Sequence, residues 1–264
     1  MSKTKTTFKK IEFVFAIALT FLFATHVQAQ SFNHTRVEKP SIFNAPPPPS
    51  DVGAPTQRSH AGSRGCEMND RSFLTNEEKF LTALVPAYQT TEDDLVWGLT
   101  TSERPTFWFY VPYTLTPKYG IEFVLKDDRG NYVYKIKFPG SGTPPGIVSI
   151  RLPPTVFLET NKDYTWYFLL YCGARSPDNY INGFIRRVER PNLEKQLLSA
   201  TPRERVILYA EQGIWYDALS ELAKSGRDRR DNDKLDLDWT SLLESVGLER
   251  LIGKPFSPCC SLED

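Results

Sequence analysis

The longest doubly apolar run in the chain lies between Tyr164 and Cys172. In an extended backbone Tyr164, Trp166, Phe168, Leu170 and Cys172 point one way, and Tyr167, Leu169 and Tyr171 point the other. A strand apolar on both faces is expected between layers, because only two covered faces repay that much hydrophobic surface. Ahead of it, Leu158 and Tyr164 have the spacing of a tyrosine corner, where a phenol bonds back to backbone a few residues upstream. Thr160 stands where that corner usually has proline.

Shorter apolar runs flank this strand. They are Phe80 to Pro86, Leu95 to Leu99, and Thr106 to Val111, the last bounded by Pro105 and Pro112. Ile121, Phe123 and Leu125 alternate with Glu122 and Lys126, which marks a strand wet on one side. Asp128-Arg-Gly-Asn131 supplies a turn, and the return strand is expected to set Tyr132, Tyr134, Ile136 and Phe138 against Lys135 and Lys137. Runs from Gly146 to Leu152 and from Gly183 to Glu189 complete about eight short strands punctuated by Pro and Gly. The pattern predicts a mainly β fold, an immunoglobulin-like antiparallel β-sandwich over residues 66–190. A closed barrel is the alternative that periodicity leaves open.

At Pro191 the period changes, and a C-terminal α-helical extension is expected over residues 191–252. Leu193, Leu197 and Leu198 fit a short first helix. Thr201-Pro-Arg-Glu204 has the form of a capping box, with Pro202 at the first helical position, and Gly213 sits where that helix would end. Trp215, Ala218, Leu219 and Leu222 mark a second helix of a hairpin; Trp239, Leu242, Leu243 and Val246 mark a last one. Gly213, Trp215 and Ala218 have the spacing of a tetratricopeptide-like helical hairpin, although one copy is no array. Such a hairpin either packs on the sandwich or offers a docking surface. Residues 253–264 read as a tail.

The ends change the picture of the whole. Four lysines precede an apolar run from Phe13 to Phe23, and Val27-Gln28-Ala29 offers small residues before a cut. Residues 1–29 are therefore expected to be a signal peptide. The rival, a retained anchor, would need about 20 apolar residues, roughly twice this run. No later stretch is apolar enough to span a bilayer. The processed chain is expected outside the cytoplasm, periplasmic or secreted. Residues 30–65, with Pro46 to Pro49 and several glycines, read as a disordered Pro/Gly-rich tether. Without residues 1–29 the balance is 28 basic against 31 acidic residues, a net of −3, which gives no electrostatic case for nucleic acid. Four cysteines in an exported chain suggest disulfides. Cys66 with Cys172 is the favoured pairing, which closes a loop of about a hundred residues and removes roughly 4–5 kcal/mol of unfolded-state entropy. For the adjacent Cys259 and Cys260, a vicinal disulfide competes with free thiols or pairing to another chain.

Candidate chemistry is narrowed by histidine. The three copies, His26, His34 and His60, all precede Cys66. With no histidine in residues 66–264, histidine-based triads and nearly every zinc, copper or non-haem iron site are not expected there. No catalytic residue, metal site or cofactor is assigned. Carboxylates remain, and a glycosidase needs only two; Glu122, Asp127, Glu159, Asp163, Glu211 and Asp217 are the candidates. Asp228, Asp231, Asp233, Asp236 and Asp238 offer oxygen donors for calcium, but EF-hand spacing is absent. Aromatic residues make up 13% of the chain. Trp108, Tyr110, Tyr167 and Tyr171 could form a ligand platform if one sheet faces water; the competing expectation is that they are core.

Several strings on this chain resemble a known family. Gly62-Ser-Arg-Gly-Cys66, Leu81-Thr-Ala-Leu-Val-Pro86, Pro105-Thr-Phe-Trp-Phe-Tyr-Val-Pro112, Arg203-Glu-Arg205 and Gly213-Ile-Trp-Tyr-Asp-Ala-Leu219 are similar to those of a cyanobacterial family called domain of unknown function 928. The resemblance runs from about Gly53 to Ile252 and implies an exported cyanobacterial protein. It brings no established activity, so no functional residue carries over. The expected function is a non-enzymatic, extracytoplasmic binding or envelope-associated interaction module, with a protein or glycan partner. The alternative is a carboxylate-dependent enzyme acting on cell-wall or matrix polysaccharide.

Overall fold

The computed structural model describes residues 43–49, 56–61, 80–90, 94–172, 179–227 and 233–260. Ten strands come in the order β1 (Ser59–Ala61), β2 (Phe80–Ala83), β3 (Ala87–Gln89), β4 (Asp94–Thr100), β5 (Thr106–Val111), β6 (Tyr119–Asp127), β7 (Tyr132–Phe138), β8 (Gly146–Arg151), β9 (Asp163–Cys172) and β10 (Asn179–Arg187). Four helices follow: α1 (Pro191–Leu197), α2 (Pro202–Glu211), α3 (Trp215–Arg227) and α4 (Asp233–Glu244). A short 3-10 turn covers Glu249–Leu251. The fold is mainly β, as the pattern predicts.

The strands form two sheets. One has four strands in the order β1-β2-β5-β8, and the other has six in the order β3-β4-β10-β9-β6-β7. All pairings are antiparallel except β4 with β10, which run parallel. Aromatic side chains fill the space between the sheets. Phe109 of β5 stacks on Phe168 of β9 at 4.1 Å, and Phe107 meets Phe123 of β6 at 4.8 Å. Such pairs add about 0.5–1.5 kcal/mol each beyond the area they bury. Gly183 on β10 is required here, because a Cβ would lie 2.4 Å from the Trp166 ring.

The tyrosine corner forms. The Glu159 amide donates to Tyr164 Oη at 3.0 Å while Leu158 is fully buried, so the phenol pins the turn that enters β9. On β9 itself the two faces differ. Tyr164, Trp166, Phe168 and Leu170 are at most 2% exposed, whereas Tyr167, Leu169 and Tyr171 are only half-buried. Three of β9's aromatic residues are tyrosines, and a phenol tolerates water where Leu or Phe would not.

Helices α3 and α4 cover the four-stranded sheet. Thr201 caps α2 as expected: its hydroxyl accepts from the Glu204 amide while Glu204 bonds back to the Thr201 amide. Gly213 takes φ 70° just past α2, with Pro46 and the Asn44 carbonyl too close for any Cβ. The chain then drives Trp215 and Tyr216 inward. Trp215 Nε1 donates to the Leu84 carbonyl at 2.8 Å. Tyr216 Oη accepts from Trp166 Nε1 at 2.8 Å and donates to the Phe184 carbonyl at 3.3 Å. Trp108 Nε1 of β5 donates to Ser220 of α3, and its ring lies near Phe256, which also meets Trp239 of α4. A second, smaller core sits outside the six-stranded sheet, where Leu95, Trp97 and Leu99 of β4 pack with Leu193 of α1 and Ile214.

Described parts of the expected tether and of the expected C-terminal tail are built into the fold. Within residues 30–65, Phe43 is buried and its ring meets Trp215 at 4.9 Å, Gln57 bridges to Asn182, and β1 pairs with β2. Proline richness left the ordering of this stretch unreadable, since an anchor as small as Phe43 has no period. Within the tail, Phe256 forms a parallel bridge to Ile147 of β8, and Cys260 is buried. Residues 1–39, including the expected signal peptide, lie outside the described residues.

Replacing Tyr216 with Phe should lower the unfolding free energy by about 2–3 kcal/mol, because it orphans the buried Trp166 N–H and Phe184 carbonyl. Urea denaturation measures this, and a change within about 0.5 kcal/mol would contradict the role given to the phenol.

Candidate functional site

The outer face of the six-stranded sheet is only half covered. α1 and Ile214 close the β4 end, and no helix among the described residues covers β9, β6 and β7. Side chains from β6, β7, β9 and β10 meet there by register. Val124 lies between Lys135 and Tyr167, Glu122 between Lys137 and Leu169, and Lys126 between Tyr132 and Thr165. Tyr180 on β10 lies opposite Leu169, and its ring comes within 6.4 Å of the Tyr167 ring. Tyr132 is 64% exposed and Tyr180 47%, unusual for rings of this size.

Tyr132 reaches this face through an irregularity the sequence does not announce. The β6–β7 register shifts at Leu125/Lys126, so Tyr132 pairs with Lys126 and leaves the face of Tyr134, Ile136 and Phe138. The expectation that all four share a face is corrected by that bulge.

Cations and rings alternate across the face. Lys126 Nζ lies 4.9 Å from the Tyr132 ring centroid and 5.3 Å from that of Tyr167. Lys137 Nζ lies 4.5 Å from the Tyr171 ring. Beneath them sits Glu122, expected at a wet position but 2% exposed. Its carboxylate takes Lys135 at 2.8 Å, Lys137 at 3.1 Å and the Tyr171 hydroxyl at 2.7 Å. Burial opposes ionisation of Glu122, but the bonds from Lys135, Tyr171 and Lys137 outweigh it and hold the carboxyl below its ordinary range. Burial, then the bond to Glu122, pushes the Tyr171 phenol up.

A cleft of about 670 Å³ opens at one end of this face, within the range of small-ligand sites. Lys126, Asn161, Asp163, Thr165, Tyr167 and Arg186 line it, together with the Asp127–Gly130 turn. Arg186 Nε bonds Asp163 Oδ1 at 2.7 Å, and a second contact makes the pair bidentate. Asp127 is consumed by its own turn, accepting from the Arg129 and Asn131 amides at 3.0 and 2.8 Å. Asn161 holds φ 58°, a conformation asparagine tolerates better than most residues, and shapes the rim.

The four expected platform residues therefore divide. Tyr167 and Tyr171 stand on the open face. Trp108 and Tyr110 are each 3% exposed, on the side of β5 that faces α3 and Lys254, so both are core, the reading set against the platform from the sequence. Of the acids, Asp127 and Asp163 share the cleft, while Glu122 is held on the sheet. Glu159 pairs with Lys162, and Glu211 is exposed. Asp217 accepts from the Thr100 hydroxyl at 2.6 Å and the Thr101 amide at 3.1 Å, beside a cavity of only about 70 Å³; burial first, against those bonds, raises its pKa. Asp233, Asp236 and Asp238 belong to α4, where Asp238 bonds Arg203; Asp228 and Asp231 lie outside the described residues. Among the described residues no group of three or more potential ligands could hold a metal ion, and no helix is long and apolar enough to cross a membrane. Cys66 lies outside the described residues, so its expected bond to Cys172 does too. Cys259 and Cys260 form a disulfide with each other.

The chain belongs to the family described as Domain of Unknown Function (DUF928), whose model matches residues 59–256. Among curated proteins nothing matches it. Solved structures similar to parts of it include a Parabacteroides merdae β-glucuronidase with glycerol in its active site, at 17% identity and TM-score 0.20 over 30% of this chain and 10% of that one. A second structure of that enzyme gives 14% identity and TM-score 0.21 over 38% and 12%. The chain thus spans about a tenth of that enzyme's length, and likeness at this level carries no argument about fold or activity.

Glu122→Gln tests the electrostatics of the face. A carboxyl held below its ordinary value near 4.5 stabilises the fold above that pH and loses the contribution as pH falls through its lowered value. The wild-type melting temperature should therefore fall more steeply below pH 4.5 than that of the variant, which should start about 1 kcal/mol less stable at pH 7. Parallel melting curves from pH 7 to pH 3 would contradict this.

Proposed function

We propose that this protein is a non-enzymatic, extracytoplasmic binding module that lays a saccharide chain across the open face of its six-stranded sheet. The observation that carries the reading is the arc Tyr180, Tyr167, Lys126, Tyr132, which ends at a cleft of about 670 Å³. Sugar rings present C–H faces that stack on phenols, and rim groups such as Asn161, Thr165 and Arg186 suit hydroxyl hydrogen bonds. Export rests on the N-terminal charge-then-apolar pattern. The immunoglobulin-like assignment of the sandwich draws support from the Tyr164 corner. A tetratricopeptide-like docking role for the α2–α3 hairpin has less support, since Trp215 and Leu219 are spent on the sheets.

A second reading, a carboxylate-dependent enzyme on polysaccharide, draws on the presence of Asp127 and Asp163 in one cleft. Both carboxylates are already bonded, Asp163 to Arg186 and Asp127 within its turn, which favours binding over catalysis. On a glycan array, wild type should retain specific polysaccharides, Tyr180→Ala and Tyr132→Ala should each weaken retention about tenfold or more, and Asp163→Asn should retain binding. No retained glycan would refute the saccharide reading. Release of new reducing ends from a retained polysaccharide, lost in Asp163→Asn, would establish the enzyme instead.

A further inference from the structure

We infer that the saccharide is anionic, a polyuronate chain whose ring carboxylates are read by Lys126; this rests on the saccharide-binding reading of the same face. The charge arrangement points to it. Lys135 and Lys137 share the single carboxylate of Glu122, Arg186 pairs with Asp163, and Lys162 pairs with Glu159 and more distantly with Asp128 at 3.9 Å. Lys126 has no carboxylate partner among the described residues; its ammonium is held only by the Tyr132 and Tyr167 rings. An ammonium set between two rings at the mouth of a cleft is a cation aimed at a ligand anion.

Geometry selects the position of that anion. Lys126 Nζ lies over the Tyr167 ring, 5.3 Å from its centroid, so a sugar seated against this ring meets the ammonium directly with its rim substituents. In a uronate the carboxylate sits on the ring carbon itself, at that rim. A 1,4-linked uronate chain presents such a group on each residue, and the second ring beside Lys126, Tyr132, extends the stacking surface along the chain. Of the acids lining the cleft, Asp163 is paired with Arg186 and Asp128 stands 3.9 Å from Lys162, while Asp127 keeps its charge but is turned onto three N–H groups of its own turn.

The test compares polygalacturonate with fully methyl-esterified polygalacturonate, the same backbone without charge, by calorimetric titration at low salt. Wild type should bind the acid form about tenfold tighter, the worth of one charge-assisted contact. Lys126→Gln should bring that ratio close to one, and added salt should erode only the acid-form advantage. Tyr180→Ala, at an exposed position, should weaken both polymers without moving the melting temperature. Equal wild-type affinity for the two polymers, or an unchanged ratio in Lys126→Gln, overturns the uronate assignment and leaves saccharide binding standing. Absence of binding to either polymer overturns the uronate assignment, and the saccharide reading falls with it only where the glycan array also retains nothing; indifference of both polymers to Tyr180→Ala removes this face as their site.

Discussion

Tyr216 is the side chain on which the arrangement of layers depends. Its ring touches Phe107 of one sheet, and its hydroxyl joins Trp166 and Phe184 of the other, so one phenol holds a helix and both sheets in register. Burial pushes that phenol far above its ordinary titration range, so it stays neutral and available as donor and acceptor. Gly98 makes the position possible, since a Cβ there would already touch the tyrosine ring at 3.0 Å. Trp215, next in the chain, anchors the same helix start to the Leu84 carbonyl and to Phe43. The helix is thereby committed to the interior, and its apolar side is not free for a partner.

That commitment decides which sheet face is left open. The four-stranded sheet spends its outer aromatic residues, Trp108 and Tyr110, under α3, α4 and the C-terminal segment. Among the described residues, α1 and the Ile214 turn are what packs on the outer side of the six-stranded sheet, and they reach no further than β4 and β10. β9, β6 and β7 must then meet water, and their outward residues are those that tolerate it: tyrosines with free edges, lysines, and a carboxylate whose charge is compensated locally. The chemical character of the face follows from the layer order.

Local features were legible along the chain because each is decided within a few residues. The capping box at Thr201, the corner at Tyr164 and the Asp127–Asn131 turn each need only a short string and one bond. Strand existence was legible for the same reason. Which face of a strand meets water was not, because alternation reports two faces and cannot name the neighbour that covers either one. Tyr167 and Trp108 look alike as aromatic strand residues, and only the placement of α3 separates them. Tyr132 was misplaced by a single bulge, and Glu122 looked solvated because its two lysines come from a strand more than ten residues away. Lys126 carried no motif at all; its interest arises from having no carboxylate partner among the described residues, a property of the assembled face.

The account is tested most directly by two-dimensional amide NMR of the protein titrated with a short galacturonate oligomer. Shifts should be confined to the strands carrying Lys126, Tyr132, Tyr167 and Tyr180 and to the cleft turn at Asp127–Gly130, with α2 and α3 unmoved. Shifts centred on the α2–α3 hairpin, or none at millimolar oligomer, would contradict it.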